Sequence, residues 1–597
     1  MFQLLINGEP VDMAPDARIS IEEESPVFDK DVIPGGFSFP FDLPVTPRNT
    51  RILGHPGRIQ SLVQGGLDLP FQLFNDGLFI GAGTAIIQKA TDRSYSAFLQ
   101  VATGDFAGKI VGKKLIDVDF GGSRTWAYKP EYTFPEDDFA LFPIYNSEFM
   151  KGTQFEAGWA TNKCRLNSYE EGLWYDVENS IMAISPFPYL AYVVNRIFNY
   201  FGFPIDENIL ATDPDLKQLV IYNNRDASEF TTTVTEVDKT YAGVYETDPF
   251  NGDYILDMNG QRILKVFRAK VSTITRGLDT WDLKDFLPDI TISDFILAIR
   301  NMFNLAFTVT SKGSLLIRKR KDLVKSGKAV SLDAKVIGRP LITMGATVAG
   351  VYLRWTHEEN DLLFSEEFKD IYADPLLLKP SVNTMDELEE IVPTINEIRL
   401  ITTYGQYYQY SGEEVDGVTT YSWKFFSNDF QDFKIGENPE EFTAKASTLP
   451  MIHYQRLTGG PFIRCPEAKQ LSASILRSTS LPCSLRLLFY RGMIDDSLGT
   501  SYPYGSSDAF DLNGALLPGA TLSLKWDGAT GLYNQLWKDY LTWWNTRKVV
   551  TWTIIDPSIL DFFTVYAIEN NHYLLKKRSL SISAKGPQPG DCEFYLI

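Results

Sequence analysis

The first 120 residues alternate apolar and polar positions in short runs separated by turn residues. "FQLLI" precedes Asn7-Gly8, "RISIEEE" alternates cleanly, and "LPFQLF", "LFIGAGTAIIQKA" and "YSAFLQVA" follow with polar turns between them. Such alternation, bounded by Asn, Asp and Gly, is typical of antiparallel strands, and Asn-Gly is a strong hairpin turn. The pattern predicts an N-terminal β-domain over residues 1–120, built as a small barrel or sandwich.

Two later stretches show the helical period instead. In "SPFPYLAYVVNRIFNYFGF" the apolar residues fall on one broad face, which predicts a buried helix within residues 184–203 that ends at Gly202. In "LPDITISDFILAIRNMF" Thr291 and Asp294 predict a capping box at the start of a second helix. The predicted strands "LAFTVT" and "SLLIRKR" follow, so residues 284–330 are expected to form a helix–strand–strand unit.

The remaining segments predict further β structure. Residues 121–283 form a β-rich insertion around the first helix, and residues 331–448 alternate predicted strands with acidic loops. Residues 449–597 predict a C-terminal β-domain with one aromatic helix, 531–546, for which Thr530 is the expected N-cap. The predicted fold class is mainly β with α+β parts, in several domains. Since no long Gly/Ser linker separates them, we expect the domains to be closely docked or inserted into one another.

One stretch fits neither period. Val32–Ile59, "VIPGGFSFPFDLPVTPRNTRILGHPGRI", contains five prolines. Proline fixes φ and lacks an N–H donor, so we expect this stretch to resist ordinary strand pairing. Phe37, Phe39 and Phe41 alternate within it, and on an extended chain they would point to one face.

Composition narrows the class of protein. The 597 residues include 44% hydrophobic and 13% aromatic residues, which predicts a globular chain with large cores and aromatic-rich contacts. The formal net charge is −20, and an acidic chain gains nothing from phosphate contacts, so we expect no sequence-specific nucleic-acid binding. Neither a signal peptide nor a membrane span is predicted, because no basic flank precedes an apolar run and no segment reaches about 18 uninterrupted apolar residues.

Cysteine and histidine are sparse, and their spacing argues against cofactor chemistry. Cys164, Cys465, Cys483 and Cys592 are widely separated, which predicts neither a disulfide framework nor a zinc site and leaves their disulfide state open. "HEEN" at His357 lacks the second histidine of a zinc-protease motif. "GDFAGK", "GAG" and "DVDFGG" lack the residues that complete a phosphate loop, a dinucleotide site and a calcium loop. We therefore expect no metal and no cofactor, and none of these motifs predicts an enzymatic activity.

Two kinds of carbohydrate chemistry stay open at this point. Glycoside hydrolysis needs only two carboxylates at the right separation, and 76 acidic residues supply many pairs. Four rings of the predicted C-terminal helix could stack against sugars, although helical spacing is more typical of a core or an interface: Trp537, Tyr540, Trp543 and Trp544.

Three stretches together carry a family resemblance. They are "SPVFDKDVIPGGFSFPFDLPVTPRNTRILGHPGRI", "LPDITISDFILAIRNMFNLAFTVTSKGSLLIRKRKDL" and the C-terminal series "GLYNQLWKDYLTWW", "KVVTWTI" and "NHYLLKKRSLSISAKGPQPGDCEFYLI". In these stretches the chain resembles the tail-tip or baseplate hub proteins of tailed bacteriophages, of the type found in phages and prophages of Bacteroidetes-like bacteria.

The resemblance implies a structural virion protein of the tail tip or baseplate, made in the host cytoplasm. Three copies would form a ring, to which each chain contributes two tube-like β-domains, residues 1–120 and a later β region. The ring would join the tail tube or distal tail protein to a central spike or fibre, serve host cell attachment, and let DNA pass during ejection. An acidic chain suits a lumen that must not bind DNA, and pairing within a ring removes exposed strand edges.

For the proline-rich stretch we predict an inter-subunit arm, an ordered segment packed on a neighbouring subunit or ring. The alternative is a loop that lies on its own β-domain. Two other functions also remain: a carbohydrate-binding tail adhesin, which predicts saccharide binding without a ring, and a cell-wall-degrading hydrolase, which predicts turnover that is lost on mutating one acidic pair. The residues predicted to anchor the arm are Pro34, Phe37, Phe39, Pro40, Phe41 and Pro44.

Overall fold

Strands dominate the computed structural model, and they form several sheets joined by helix-containing segments. This confirms the predicted fold class, mainly β with α+β parts in more than one domain. The structure describes residues 2–28, 35–58, 68–75, 77–101, 103–124, 129, 131–146, 165–167, 169–170, 173–174, 184–225, 233–237, 241–245, 255–256, 258, 264–267, 273–277, 281–310, 313–325, 327–344, 350–356, 379–401, 406–415, 418–428, 432–437, 439–455, 461–468, 484–583 and 585–597.

Within these residues, fifteen strands form one continuous sheet, and eight of them come from the first 101 residues. We call these eight strands the N-terminal half-sheet. Asn7 and Gly8 have φ values of 55° and 76°, so the predicted Asn-Gly turn is confirmed, with both residues in the left-handed region that such hairpins need. The eight strands are Phe2–Ile6, Glu9–Pro10, Arg18–Glu24, Gly36–Ser38, Phe41–Pro44, Asp68–Asn75, Leu78–Ala90 and Ser94–Val101.

Seven strands from the second half of the chain complete the sheet, and we call them the C-terminal half-sheet. The sequence "VYAIENNHYLLKKRSLSISA" predicts a hairpin about Asn570-Asn571. The hairpin is present, but its turn residues are Glu569 and Asn570, which have φ values of 51° and 62°. The predicted turn therefore lies one residue too far towards the C-terminus. The seven strands are Ala329–Ser331, Val336–Met344, Lys548–Ile554, Val565–Ile568, Asn571–Ser583, Gly586–Gln588 and Gly590–Leu596.

The two half-sheets meet where Arg18–Glu24 pairs antiparallel with Asn571–Ser583, and we call this junction the seam. Ile21 lies opposite Leu580 in the register. Leu580 and Ile582 are buried in the apolar core of the N-terminal half-sheet, although they come from the C-terminal strand. The core of the first 101 residues is therefore completed by residues near the end of the chain.

Two amphipathic helices lie in the largest apolar core, between the sheets of the middle of the chain. The first is Leu190–Tyr200, and Gly202 follows it with a φ of 85°, which confirms the predicted helix end. The second is Ile292–Phe303. The Thr291 hydroxyl accepts the backbone N–H of Asp294 at 3.1 Å, so Thr291 is the N-cap as predicted.

The other described helices are short, and they cap or connect strands. The α-helices are Pro47–Ile52, Thr103–Ile110, Ile209–Thr212, Arg320–Leu323 and Met385–Glu389, and the 3₁₀ helices are Leu115–Asp117, Leu216–Gln218, Leu283–Phe286, Asp333–Lys335 and Pro557–Ile559.

The predicted aromatic helix begins with a π-helical turn, Tyr533–Trp537, and continues as the α-helix Lys538–Thr546. The expectation that Thr530 is its N-cap is wrong. The Thr530 hydroxyl instead donates to Ser523 Oγ at 3.1 Å, and Leu532 stands at the cap position without a side-chain hydrogen bond. Threonine is a residue type that often caps helices, but the Thr530 hydroxyl is already bound to Ser523 in the preceding loop.

Strands of the smaller sheets pair across the predicted segment boundaries. Ile205–Asn208 pairs with Leu315–Lys319, and Leu219–Tyr222 pairs with Arg486–Asp495. The predicted segments are therefore interleaved, and where the domain boundaries fall stays a prediction. The remaining strands are Ser123–Arg124, Phe139–Ala140, Ile144–Asn146, Arg165–Leu166, Tyr169–Glu170, Leu173–Trp174, Phe187–Pro188, Thr233–Val237, Tyr241–Tyr245, Leu264–Phe267, Thr273–Gly277, Trp281–Asp282, Leu305–Val309, Gly350–Arg354, Phe433–Gly436, Glu440–Thr443, Met451–Gln455, Phe462–Ala468 and Ser501–Ser506.

Residues 379–428 form a small unit with its own sheet, which we call the hairpin module. Its strands are Ile398–Ile401, Gln406–Val415 and Val418–Asn428, and the helix Met385–Glu389 packs on them. The sequence "YGQYYQYSGEEVDGVTTYSWKFF" predicts a tyrosine-rich hairpin with Asp416-Gly417 near its bend, and the last two strands form this hairpin. The predicted turn residues Asp416 and Gly417 lie outside the described residues.

Candidate assembly surfaces

Residues 36–44 of the proline-rich stretch are part of the N-terminal half-sheet, and the helix Pro47–Ile52 follows them. Gly36–Ser38 pairs with both Arg18–Glu24 and Ser94–Val101, and Phe41–Pro44 also pairs with Ser94–Val101. The expectation that this stretch resists strand pairing is therefore wrong. Its prolines stand where the ladder needs no N–H, because Pro40 lies between the two strands and Pro44 ends the second one.

A bulge separates these two strands. Phe37 lies opposite Gln100 and Phe41 lies opposite Ala97, so three residues of the stretch face two residues of the neighbouring strand. The Ser38 hydroxyl accepts the Leu99 N–H at 2.8 Å, which replaces the backbone acceptor that the bulge removes. On its other side, the Phe39 N–H donates to the Ser20 carbonyl at 2.8 Å.

The bulge also changes the direction of the side chains. Phe37 and Phe39 are 44% and 56% exposed. Phe41 packs against the apolar core of its own half-sheet, on the same side as the fully buried Leu43. The expectation that the three phenylalanines share one face is therefore wrong for Phe41, because the extra residue in the bulge inverts the alternation.

The predicted arm residues thus fall into different environments. Pro34 lies outside the described residues, Pro40 is exposed, and the half-buried Pro44 uses its carbonyl to accept an Asn49 Nδ2–H at 2.9 Å. Residues 36–44 belong to the sheet of their own chain, as the intramolecular alternative expects. A contact of Phe37 and Phe39 with a neighbouring subunit stays a prediction.

A second exposed apolar surface lies at one end of the large sheet. Val336–Met344 is the outermost strand there, and we call it the edge strand. Ile337, Leu341 and Ile342 on it are 44%, 66% and 59% exposed. Ile342 lies opposite Val550, which belongs to the buried core of the C-terminal half-sheet. The edge strand therefore exposes apolar side chains beside that core.

Sequence reasoning missed this edge strand, although a signal for it was present. "VIGRPLITM" reads as a strand interrupted by Gly338-Arg339-Pro340, and those three residues bulge out of the ladder, with Gly338 at a φ of 77°. A proline inside a strand pattern is typical of an edge strand. Pro340 alone would therefore have predicted that this segment lies at the edge of a sheet.

The opposite end of the large sheet is the strand Phe2–Ile6. Among the described residues, the two-residue strand Glu9–Pro10 is its outer partner, and it pairs only with Leu5 and Ile6. The Val11 N–H adds a bond to the Leu4 carbonyl at 3.0 Å. Both ends of one sheet thus offer backbone groups to a further strand.

The rings of the aromatic helix pack against other parts of the chain. Trp537 and Tyr540 are buried in the central core. Trp543 and Trp544 pack around Phe28, with ring centroids 5.8 and 6.2 Å from it, and Trp543 Nε1–H donates to a backbone carbonyl at 2.9 Å. These rings form intramolecular contacts, as helical spacing favours.

The described residues show little that resembles a catalytic site. Among them, no group of three or more His, Cys, Asp or Glu side chains is placed to hold a metal ion. Burial, with the nearby Arg464 cation, lowers the pKa of His453 from 6.5 to about 4, and its Nε2 is shielded from solvent. His357 lies outside the described residues.

No helix in the described part is both long and apolar enough to cross a bilayer.

Comparison with known proteins adds little to this picture. No family model matches the chain, and no curated protein matches it. Among solved structures, the chain is similar to the crystal structure of the 43 kDa tail protein of prophage MuSo2 from Shewanella oneidensis. The alignment covers 100% of this chain and 98% of that chain, at 6% sequence identity and a TM-score of 0.30. A similarity at this TM-score assigns neither a fold nor a function to the present chain.

Proposed function

We propose that the chain is a structural protein of a bacteriophage tail, the hub of the tail tip or baseplate. Copies of it, three by the sequence resemblance, form a closed ring in the virion through which DNA passes, and the protein has no enzymatic activity. The observation that carries the proposal is the continuous sheet of two half-sheets, whose edge strand pairs on one side only within the described part of the chain. The resemblance expects two β units per chain, and the two half-sheets supply them.

Ring closure would use the two ends of the large sheet, where Leu4, Leu5 and Ile6 of the strand Phe2–Ile6 already have an outer partner and the rest of that strand is the pairing site. The edge strand and the strand Phe2–Ile6 lie at opposite ends of the same sheet. Pairing one end with the other end of the next copy is a head-to-tail contact, which closes into a ring when the rotation between copies allows it. The contact would also cover Leu341 and Ile342, which are 66% and 59% exposed in the single chain.

The charge of the chain supports a lumen for DNA. At a formal net charge of −20, phosphates are repelled and not held. In this proposal the tail tube or distal tail protein joins one side of the ring, and a central spike or fibre joins the other. Phe37 and Phe39 then serve as apolar anchors for the adjoining ring or subunit, because they are exposed on an otherwise well-paired half-sheet.

The test is a change of the edge strand that leaves the single chain folded. We expect the purified wild-type chain to form a trimeric ring, measured as molecular mass by sedimentation and seen by negative-stain microscopy. Leu341→Lys combined with Ile342→Lys should give monomers, because two charges on an edge oppose pairing with another strand. Val392→Lys is the matched control, since Val392 is 94% exposed outside both half-sheets. Rings that form equally well from the edge variant would contradict the proposal.

A further inference from the structure

The hairpin module, residues 379–428, has a small apolar core of its own. Leu388 of the helix packs on Ile401 and Tyr408 of the sheet, with Met385 and Trp423 at the border of this cluster. All members of the cluster come from the module. The hairpin module therefore has a hydrophobic core separate from the other apolar clusters of the chain.

Its hairpin has two chemically different faces. Tyr410 lies opposite Trp423 and Gly412 lies opposite Tyr421, which places three aromatic rings on one face. Ser411 lies opposite Ser422, so the intervening pairs place polar side chains on the other face. The alternation is that of a sheet with one face covered and one face solvated.

The helix covers only the base of the aromatic face. Tyr408 is buried and Trp423 is half-buried at the edge of the cluster, whereas Tyr421, closer to the turn on the same face, is 44% exposed. The Tyr421 ring lies over Gly412, where a Cβ would be 2.9 Å from the ring. Tyr410 stacks with Tyr421 at a centroid distance of 6.1 Å and an interplanar angle of 23°. Trp423 meets the Tyr410 ring edge-on, at a centroid distance of 5.4 Å and an interplanar angle of 63°. The aromatic surface therefore continues past the helix on the rings of Tyr410 and Tyr421.

The module around this surface is strongly acidic. Residues 379–428 contain eight Asp or Glu and three Lys or Arg, a net charge of −5. Four of the acids, Asp386, Glu387, Glu389 and Glu390, are exposed on or next to the covering helix. The helix borders the uncovered rings, because its Met385 and Leu388 pack in the same cluster as Trp423. An aromatic surface beside clustered carboxylates is complementary to a cation.

We infer that the aromatic face of the hairpin module binds a basic segment of a partner protein, with arginine or lysine side chains over Tyr410 and Tyr421 and against the acidic helix. Arginine suits both features, because its guanidinium stacks on rings and pairs with carboxylates. The surrounding negative charge would steer a basic partner and repel an acidic one, including a second copy of this chain. The inference does not depend on ring formation, so each can fail without the other.

The test uses the full chain and a fluorescein-labelled peptide of alternating Arg and Gly, with binding followed by fluorescence anisotropy. We expect Tyr421→Ala to weaken binding about tenfold, because an aromatic ring under a cation is lost. Thr420→Ala is the matched control, since Thr420 is the next residue and lies on the polar face. Asp386→Asn combined with Glu389→Gln should also weaken binding, and added salt should weaken it further.

Three results would overturn the inference. The first is equal peptide binding by the wild type and Tyr421→Ala, because the peptide would then lie elsewhere on this acidic chain. The second is a lack of peptide binding combined with maltoheptaose binding that Tyr421→Ala removes, which would make the surface a saccharide platform. The third is self-association that Tyr421→Ala abolishes while the peptide has no effect, which would make the occupant a second copy.

Discussion

Arg578 and Glu23 are 555 positions apart in the sequence and form a buried ion pair across the seam. Their side chains are 8% and 5% exposed. The Arg578 guanidinium also donates to the carbonyl of Pro557 at 3.3 Å and to that of Leu560. One cation thus connects the strand Arg18–Glu24 of the N-terminal half-sheet with a loop of the C-terminal half-sheet.

Arg578→Met should destabilise the protein by about 3–5 kcal/mol, because it leaves the Glu23 carboxylate buried without its partner. The neighbouring pair offers a matched control. Lys577 and Glu22 form an ion pair of 3.1 Å, with side chains 38% and 43% exposed, and Lys577→Met should cost less than about 1 kcal/mol. The measurement is the urea midpoint of unfolding for each variant. If the two variants lose equal stability, the buried ion pair does not stabilise the seam more than an exposed pair does.

Phe37→Ser combined with Phe39→Ser should leave the stability of the single chain nearly unchanged, because both rings are about half exposed. If these rings are anchors, the same variant should fail to join a neighbouring subunit or ring. Phe41→Ser is the informative comparison: its ring packs on its own core, so its loss should lower the urea midpoint of the single chain. If the double variant assembles normally, neither Phe37 nor Phe39 contributes to an interface.

Gly505→Ala should lower stability by about 1–3 kcal/mol or more, because the new methyl group would overpack the core. A Cβ at Gly505 would lie 2.0 Å from the Phe142 ring, which is fully buried. Gly327→Ala is the control, since its Cβ would meet no atom within 4 Å. Thermal unfolding of the three proteins checks the prediction, and an unchanged midpoint for Gly505→Ala would contradict this packing.

Acid should weaken the protein partly through His453, whose pKa is lowered from 6.5 to about 4 by burial and by the nearby Arg464. An unfolded chain takes up the proton near pH 6.5 and the folded chain resists it. Stability linked to this histidine is therefore complete above pH 6.5 and is lost as the pH falls towards 4. The difference corresponds to about 3 kcal/mol.

The histidine contribution is isolated by comparing variants. His453→Gln should flatten the decline in urea midpoint between pH 6.5 and 4 relative to the wild type. Parallel slopes for wild type and His453→Gln would assign the acid sensitivity to other groups.

Local features of this fold could be predicted from the sequence because their causes are local. Gly202 ends the first core helix because glycine adopts a left-handed φ with little conformational strain. The Thr291 cap requires only the backbone N–H of Asp294, three residues further on. Fold class followed in the same way from short alternating runs. These signals lie within a few residues of the feature that they specify.

The assembly surfaces depend on distant pairing, which no local pattern contains. The direction of Phe41 depends on a bulge against Ser94–Val101, and the exposure of Ile342 depends on its strand being the last in the sheet. Nothing near residue 23 indicates that its partner is residue 578. The arm hypothesis treated proline as a barrier to pairing, whereas the prolines occupy the places in the ladder that need no donor.

The seam has a consequence for synthesis on the ribosome. The first 101 residues emerge early, but Leu580 and Ile582 of their core are translated more than 450 residues later. A nascent or truncated chain that stops before residue 571 therefore cannot complete its first half-sheet, and its strand Arg18–Glu24 keeps an open side until Asn571–Ser583 is made. Folding of this region waits for that strand, so products truncated before it lack the continuous sheet and are excluded from any assembly built on it.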